Sequence, residues 1–183
     1  NTIPVSPYLS LLARMNEFAR GDLDTLMWES WSLVRIRAMR LTVFVFPHEL
    51  LEIAVAATRH LTEPLATRWL RDSELSETEF SRLANTVDEA LADGPLTVRA
   101  LRKKLSVPPQ IDLAGVVGRM CDGGRVAGGA PPRKWRSSVR EYHRWGDVLP
   151  EVDLHRWEES AAIAELLRRY ICSYGPVTLD DIS

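Results

Sequence analysis

The stretch ADGPLTVRALRKKL, residues 92–105, contains the punctuation that decides the fold. Apolar residues recur upstream of it at helical spacing, which predicts an amphipathic helix from about Glu77 to Ala92, with Gly94 as its stop signal. The proline after this glycine disfavours helix and leaves room only for a brief extended segment. Thr97 has the side-chain chemistry of an N-cap, so a second helix is predicted from Val98 to Leu105 with its basic residues exposed.

Downstream of this stretch, the sequence predicts a third helix and a hairpin. Two prolines in SVPPQ end the second helix, and an apolar stripe predicts a third helix from about Ile111 to the DGG at 122–124. A strand at 125–127, a loop rich in glycine, proline and basic residues, and a returning strand from Ser138 to Trp145 follow. This order of elements is typical of a winged helix-turn-helix.

The same punctuation returns at the end of the sequence. Gly-Pro-Val-Thr-Leu at 175–179 follows another amphipathic helix, predicted from Trp157 to Tyr174. Near the start, helices are predicted at 8–18 and 22–30, and the second of these is expected to bury Leu26. We therefore expect both ends to belong to further modules that continue outside this chain.

These elements predict a mainly α-helical α+β chain of tandem winged helix-turn-helix modules, with small β-hairpins centred near Met39 and near 129–137. An apolar helical connector, with Leu61 and Leu65 among its leucines, is expected to pack the modules together. The predicted domains are a partial winged helix at 1–46 that lacks its first helix, a helical connector at 47–75, a complete winged helix-turn-helix at 76–150, and the truncated start of a third winged helix at 151–183.

Composition narrows the classes of function. The 183 residues are 45% apolar, enough to bury a core, and contain no apolar run of the roughly 20 residues that span a membrane. Cys121 and Cys172 lack metal or redox spacing, so we predict reduced core thiols in a cytoplasmic protein. HELLE at 48–52 lacks the second histidine of a zinc-protease helix, and no phosphate loop or serine elbow occurs. We predict neither a metal nor a cofactor.

Charge is segregated along the chain. The net charge is −2, but residues 94–145 carry +8 and the other 131 residues carry −10. A basic segment of this kind is typical of a face that docks on a polyanion, although a solvated charged surface is the alternative. The third helix offers few side chains that read bases, and Asp112 would repel phosphate, which favours recognition of the DNA backbone. Trp135 in the loop either stacks on bases or folds back into the wing.

Several segments resemble the bacterial AlkZ/YcaQ-like winged-helix DNA glycosylases, which excise alkylated bases and unhook crosslinks. The segments are SPYLSLLARM at 6–15, SLVRIRAMRLTVFVFP at 32–47 and RRYICSYGPVTLDDIS at 168–183. The resemblance implies three winged helices, a C-terminal β-barrel and a catalytic Gln-x-Gln or Gln-x-Asp just before the first segment. It puts Thr2 at the second catalytic position, where it is not expected to function, and Phe44 where the family commonly has histidine. We therefore expect this chain alone to lack glycosylase activity.

The sequence leaves three functions open. One is a glycosylase-family protein that grips distorted duplex DNA and extrudes a base. Another is a non-catalytic winged-helix transcriptional regulator or architectural protein, and the third is a protein–protein interaction module. The expected partner is duplex DNA, held through its phosphate backbone and the wing, with no membrane, in the cytoplasm at the nucleoid. The predicted DNA contacts are Arg35, Arg37, Arg40, Arg99, Arg102, Lys103, Lys104, Arg119, Arg133, Lys134, Trp135 and Arg136.

Overall fold

The computed structural model describes residues 5–38, 42–73, 75–131, 137 and 139–178. These residues form a mixed α/β structure with two small antiparallel sheets, which confirms the predicted α+β class. The N-terminal elements are α1 (Ser6–Leu12), α2 (Arg20–Asp24), a π-helical turn (Thr25–Glu29), β1 (Leu33–Arg37), β2 (Val43–Pro47), α3 (His48–Ala57) and α4 (Arg59–Asp72). The later elements are α5 (Glu77–Ala90), β3 (Leu96–Thr97), α6 (Val98–Lys104), α7 (Leu113–Asp122), β4 (Val126–Gly128), β5 (Glu141–Arg144), α8 (Trp145–Val148) and α9 (Glu159–Tyr174).

The first sheet is the predicted hairpin of β1 and β2. The strands pair antiparallel, with Leu33 opposite Pro47. Val34 and Ile36 are buried on one face, as the alternation of a half-buried strand requires. The predicted hairpin centre, Met39, lies outside the described residues.

The helices before this hairpin differ from the prediction. The first ends at Leu12 instead of continuing to residue 18, and Phe18 packs from the following irregular segment against a cluster that includes Tyr8 and Met27. Leaving the helix early lets this aromatic ring reach the cluster. The second helix passes into the π-helical turn, and the prediction that it buries Leu26 is wrong, because this side chain is exposed.

The second sheet and the helices around it follow the local signals of the sequence. Thr97 Oγ1 accepts a hydrogen bond from the Ala100 backbone N–H at 3.2 Å, which confirms the predicted N-cap of α6. Gly94 has φ +132°, a backbone conformation that suits glycine. The strands lie in the order β3-β5-β4, with both pairs antiparallel. The second hairpin thus joins β4 to β5, but residues 132–136 and 138 between them lie outside the described part of the chain.

Helix α3 lies where three parts of the chain meet. One face joins a core cluster that combines the first hairpin with residues 145–154, and another packs against α9 through Ile53, Ala56 and Ala162. Glu52 on this helix is only 4% exposed and accepts a hydrogen bond from the Asp153 backbone N–H at 2.9 Å. This helix therefore ties the N-terminal hairpin to the C-terminal segments.

Two predictions about burial are wrong. Helix α4 has no fully buried residue, and its leucines Leu61 and Leu65 are exposed, so its packing is limited to its C-terminal part, where Trp69 and Leu70 contact a core cluster that includes Phe80. Cys172 is exposed, while Cys121 is partly buried, and burial raises its pKa to about 12. Helix α9 contacts α3 through the face that carries Ala162, and Cys172 lies outside this contact.

Candidate nucleic-acid interface

The basic residues of α6 fall into two classes. Arg102 is half-buried, and its guanidinium donates to the carbonyl oxygens of Pro108 at 2.5 Å, Ile111 at 2.9 Å and Val107 at 3.4 Å. These carbonyls belong to the turn between α6 and α7, and the guanidinium is well suited to bind several of them because its N–H groups form a rigid fork. Arg102 therefore stabilises the turn.

Lys104 is also engaged within the protein, whereas Arg99 and Lys103 are not. The Lys104 ammonium donates to the Ala90 carbonyl and to the Asp93 carboxylate, both at 2.9 Å, and these contacts lower the pKa of Asp93. Among the described residues, no hydrogen bond or ion pair holds the exposed side chains of Arg99 and Lys103. These two cations of α6 are the ones available for phosphate groups.

Two further predicted contacts lie at the boundary between the first hairpin and α7. Arg37 makes a bidentate ion pair with Asp122, with one N–O distance of 2.9 Å and a shorter second contact. Burial raises the pKa of Asp122, and the arginine opposes this shift. The Arg119 guanidinium lies 5.1 Å from the centre of the Phe80 ring. Arg37 thus ties the hairpin to α7 with its charge paired, whereas Arg119 packs on Phe80 with no carboxylate partner among the described residues, and its Nη1 is buried there without a hydrogen-bond partner.

Arg35 lies on the same face of β1 as Arg37 and has a second arginine near it. It lies on β1, and burial lowers its pKa. Arg140, which directly precedes β5, lies with its guanidinium carbon 5.4 Å from the centre of the Trp28 ring. Burial and the charge of Arg35 lower the pKa of Arg140 to about 10. Arg140 belongs to the basic segment 94–145 but is absent from the predicted contacts, because its proximity to Arg35 depends on tertiary structure.

The remaining predicted site residues lie outside the described part of the chain. They are Thr2, Arg40, Arg133, Lys134, Trp135 and Arg136.

The described ranges contain no candidate metal site, because no three His, Cys, Asp or Glu side chains lie together there. Searched over the same part of the chain, no helix is long and apolar enough to cross a membrane. Glu52 of the HELLE segment is occupied by the Asp153 backbone N–H and by Arg156, whose guanidinium lies 3.1 Å away.

Comparison with known proteins gives one family and one structural likeness. The sequence profile described as "DNA glycosylase AlkZ-like" matches residues 2–183. No curated protein matches the chain. Among solved structures, the chain is similar to the Streptomyces sahachiroi DNA glycosylase AlkZ, with a TM-score of 0.62 at 18% sequence identity. The likeness covers 87% of this chain but only 44% of that protein, and at this identity it shows a shared fold.

Proposed function

This chain belongs to the AlkZ-like DNA glycosylase family, and from that premise we propose that it is a DNA-binding, tandem winged-helix part of a glycosylase-like protein. The observation that carries the proposal is the family match, which extends over nearly the whole chain. Since the similar Streptomyces protein is more than twice as long as the matched region, base excision is proposed only for a longer protein.

The proposed modules keep the boundaries 1–46, 47–75, 76–150 and 151–183. Support for a winged helix at 76–150 comes from its order of helix, strand, two helices and two strands, with β5 paired between β3 and β4. In a winged helix, the loop between the last two strands is the wing. That loop carries Arg133, Lys134, Trp135 and Arg136, which we propose as DNA contacts.

The proposed grip acts on the phosphate backbone. Arg99 and Lys103 are exposed, and the described structure gives neither an acidic partner. Cations in this state bind phosphates without reading the base sequence, and each phosphate contact adds about 0.9 to the dependence of log affinity on log salt. Arg35 on the first hairpin, and Arg40 outside the described residues, are proposed as further phosphate contacts.

The alternative is a non-catalytic DNA-binding regulator or architectural protein. Phe44 favours this alternative, because it stands at a position where the family commonly has histidine. Its ring stacks on Phe46, with centroids 5.5 Å apart. A phenyl ring cannot donate or accept a proton, and Thr2 offers only a neutral hydroxyl at the second catalytic position. We therefore propose that this chain binds duplex DNA without releasing a base.

Two duplexes of unrelated sequence, each with one N7-alkylated purine, test both statements. Their binding is followed by fluorescence anisotropy over a range of salt, and base release is scored against a heat-inactivated sample. We expect binding with little sequence preference, a steep salt dependence, a salt slope about 0.9 smaller for Lys103→Gln, and no base release. Absence of salt-dependent binding would contradict the proposed function, and base release would contradict the assignment of a non-excising chain.

A further inference from the structure

We propose that Arg35 and Arg140 together form a binding site for one phosphate group of DNA, next to the Trp28 ring and between the first hairpin and β5. This inference rests on the proposed function and adds to it a specific contact. The site joins residues that are far apart in the sequence, since Arg35 belongs to the N-terminal hairpin and Arg140 to the basic segment 94–145.

The strand geometry brings Arg35 to this position. Val34 and Ile36 are buried on one face of β1, so Arg35 projects from the other face with Leu33. Leu33 and Val45, which is paired with Arg35 across the hairpin, pack there against the aromatic cluster of α1 and the π-helical turn. The guanidinium therefore emerges through an apolar layer, where a cation without a counter-ion is costly.

Arg140 reaches the same place from the second sheet. Its guanidinium carbon lies 5.4 Å from the centre of the Trp28 ring, and Trp28 packs on the same apolar cluster. A guanidinium over an aromatic face is attracted to the ring, while the N–H groups at its edge can still donate hydrogen bonds. Trp28 therefore orients this arginine without neutralising its charge.

The acidic groups of the neighbourhood leave both charges uncompensated. In the described structure, no carboxylate oxygen lies within 4.0 Å of either guanidinium. Asp24 on α2 is already engaged, because it accepts hydrogen bonds from the Tyr8 hydroxyl at 2.6 Å and from Arg20 at 3.0 Å. Arg37, the next residue on this face of β1, pairs with Asp122. Two cations thus share one partly buried place without a counter-ion, while the neighbouring arginine has one.

A phosphate group fits the chemistry of this pair. Its oxygens accept several charge-assisted hydrogen bonds, and the fork of an arginine matches two of them at once. One phosphate between the two guanidinium groups would offset their mutual repulsion, which contributes with burial to the lowered pKa of Arg140. A DNA backbone supplies such a group at every nucleotide, and a positioning contact of this kind carries no base specificity.

The first test uses inorganic phosphate and needs no DNA. Melting temperatures of the chain, of Arg35→Gln and of Arg140→Gln are measured in phosphate and in chloride at equal ionic strength. We expect phosphate to raise the melting temperature of the wild type more than that of either variant, because bound anion stabilises only the folded state that holds it. The variants report the general salting effect of phosphate. Equal increments in all three proteins would overturn the site.

The second test asks whether the anion belongs to DNA. Salt slopes for duplex binding are compared for the wild type, both single variants and the double variant. A shared phosphate predicts that each single change lowers the slope by about 0.9 and that the double change lowers it no further. Two separate decrements, or none, would overturn a shared DNA phosphate. Arg35→Lys and Arg140→Lys keep the charge but remove the fork, so we expect them to keep the slope and weaken binding.

The two tests separate this inference from the proposed function. Stabilisation by phosphate through both arginines, in a chain that binds no DNA, would contradict the proposed function and assign the site to free phosphate. Salt-dependent DNA binding that is unchanged in both arginine variants would leave the proposed function standing and overturn the two-arginine site.

Discussion

Arg102 and Lys103 are neighbours on α6 with opposite surroundings. The Arg102 guanidinium is hydrogen-bonded to three backbone carbonyls of the turn that leads to α7, whereas the Lys103 side chain is exposed and has no partner among the described residues. Both side chains are positively charged and adjacent in the sequence, so neither charge nor sequence position distinguishes them. What separates them is whether the backbone carbonyls of the turn lie within reach of the side chain, and this depends on the shape of the turn.

Arg102→Gln should therefore weaken the fold more than it weakens DNA binding. Hydrogen bonds to charged groups contribute about 1.5–3 kcal/mol each, and the Pro108 and Ile111 carbonyls keep their backbone N–H donors, so we expect the free energy of unfolding to fall by about 2 kcal/mol. Denaturation by urea measures this change. Lys103→Gln on the same helix is the matched control and should leave the unfolding curve in place. Equal stability of the two variants would mean that the turn does not depend on Arg102.

His143 makes the stability of the second sheet dependent on pH. Its ring lies edge-on to Trp31, with centroids 5.1 Å apart, and burial lowers its pKa although the Glu141 and Asp147 carboxylates act in the opposite direction. The folded protein therefore binds the imidazolium proton of His143 less tightly than the unfolded chain does. Stability is highest above the ordinary histidine pKa of about 6.5 and falls as the pH drops through that value.

His143→Gln isolates this contribution to the pH dependence. The free energy of unfolding is measured for both proteins between pH 8 and pH 5, about 1.5 units on either side of the ordinary histidine pKa. We expect the wild type to lose more stability than the variant on acidification, because the variant cannot take up this proton. Parallel curves, or a steeper loss in the variant, would show that burial of the ring does not govern its protonation.

Among the elements, those with a complete local signal agree with the sequence. Helix α5 has its apolar stripe, a Ser76–Glu79 capping box and a glycine after its end, and α6 has its threonine cap. The N-terminal helices have fewer such signals, a proline in the first turn of α1 and the Asp22 carboxylate that accepts from the Ala19 N–H at the start of α2, and tertiary packing decides where they end. Phe18 leaves the first helix to join an aromatic cluster, and Leu26 faces outward although its spacing is that of a buried residue. Periodicity predicts that a helix has an apolar face, but burial of that face depends on whether another part of the chain packs against it.

The N-cap of α6 can be tested against a matched threonine. Thr97→Ala removes the acceptor of the Ala100 backbone N–H, and the loss of such a cap costs about 1 kcal/mol. Thr86→Ala is the control, because this half-buried hydroxyl donates to the Arg82 carbonyl within α5 and caps nothing. Thermal or chemical denaturation should rank Thr97→Ala as the less stable variant. The reverse ranking would mean that the pairing of β3 with β5, and not the threonine cap, fixes the start of α6.

In the whole molecule, contacts between residues distant in sequence determine how the parts of the chain are joined. Arg37 binds Asp122, and Glu52 binds the Asp153 backbone, across separations that no local pattern reports. The sequence could predict the hairpin, the helices and the basic segment, because each depends on near neighbours. It could not predict which arginines have counter-ions, and so the division of the basic residues into structural and available ones requires the tertiary structure.

The shared core around α3 predicts that the hairpin and the C-terminal segments unfold together. Trp31 and Trp145, one from each part, lie in the same buried cluster as Leu51 of this helix. Glu52→Ala removes a buried acceptor of the Asp153 N–H, which costs about 1–3 kcal/mol when the donor is left unsatisfied. We expect tryptophan fluorescence and far-UV circular dichroism to shift to lower denaturant by the same amount. Glu49→Gln on the exposed side of α3, which removes only an exposed ion pair to Arg169 of α9, is the control and should shift both signals only slightly. If Glu52→Ala splits the transition so that one signal moves and the other does not, the two parts fold independently and α3 does not couple them.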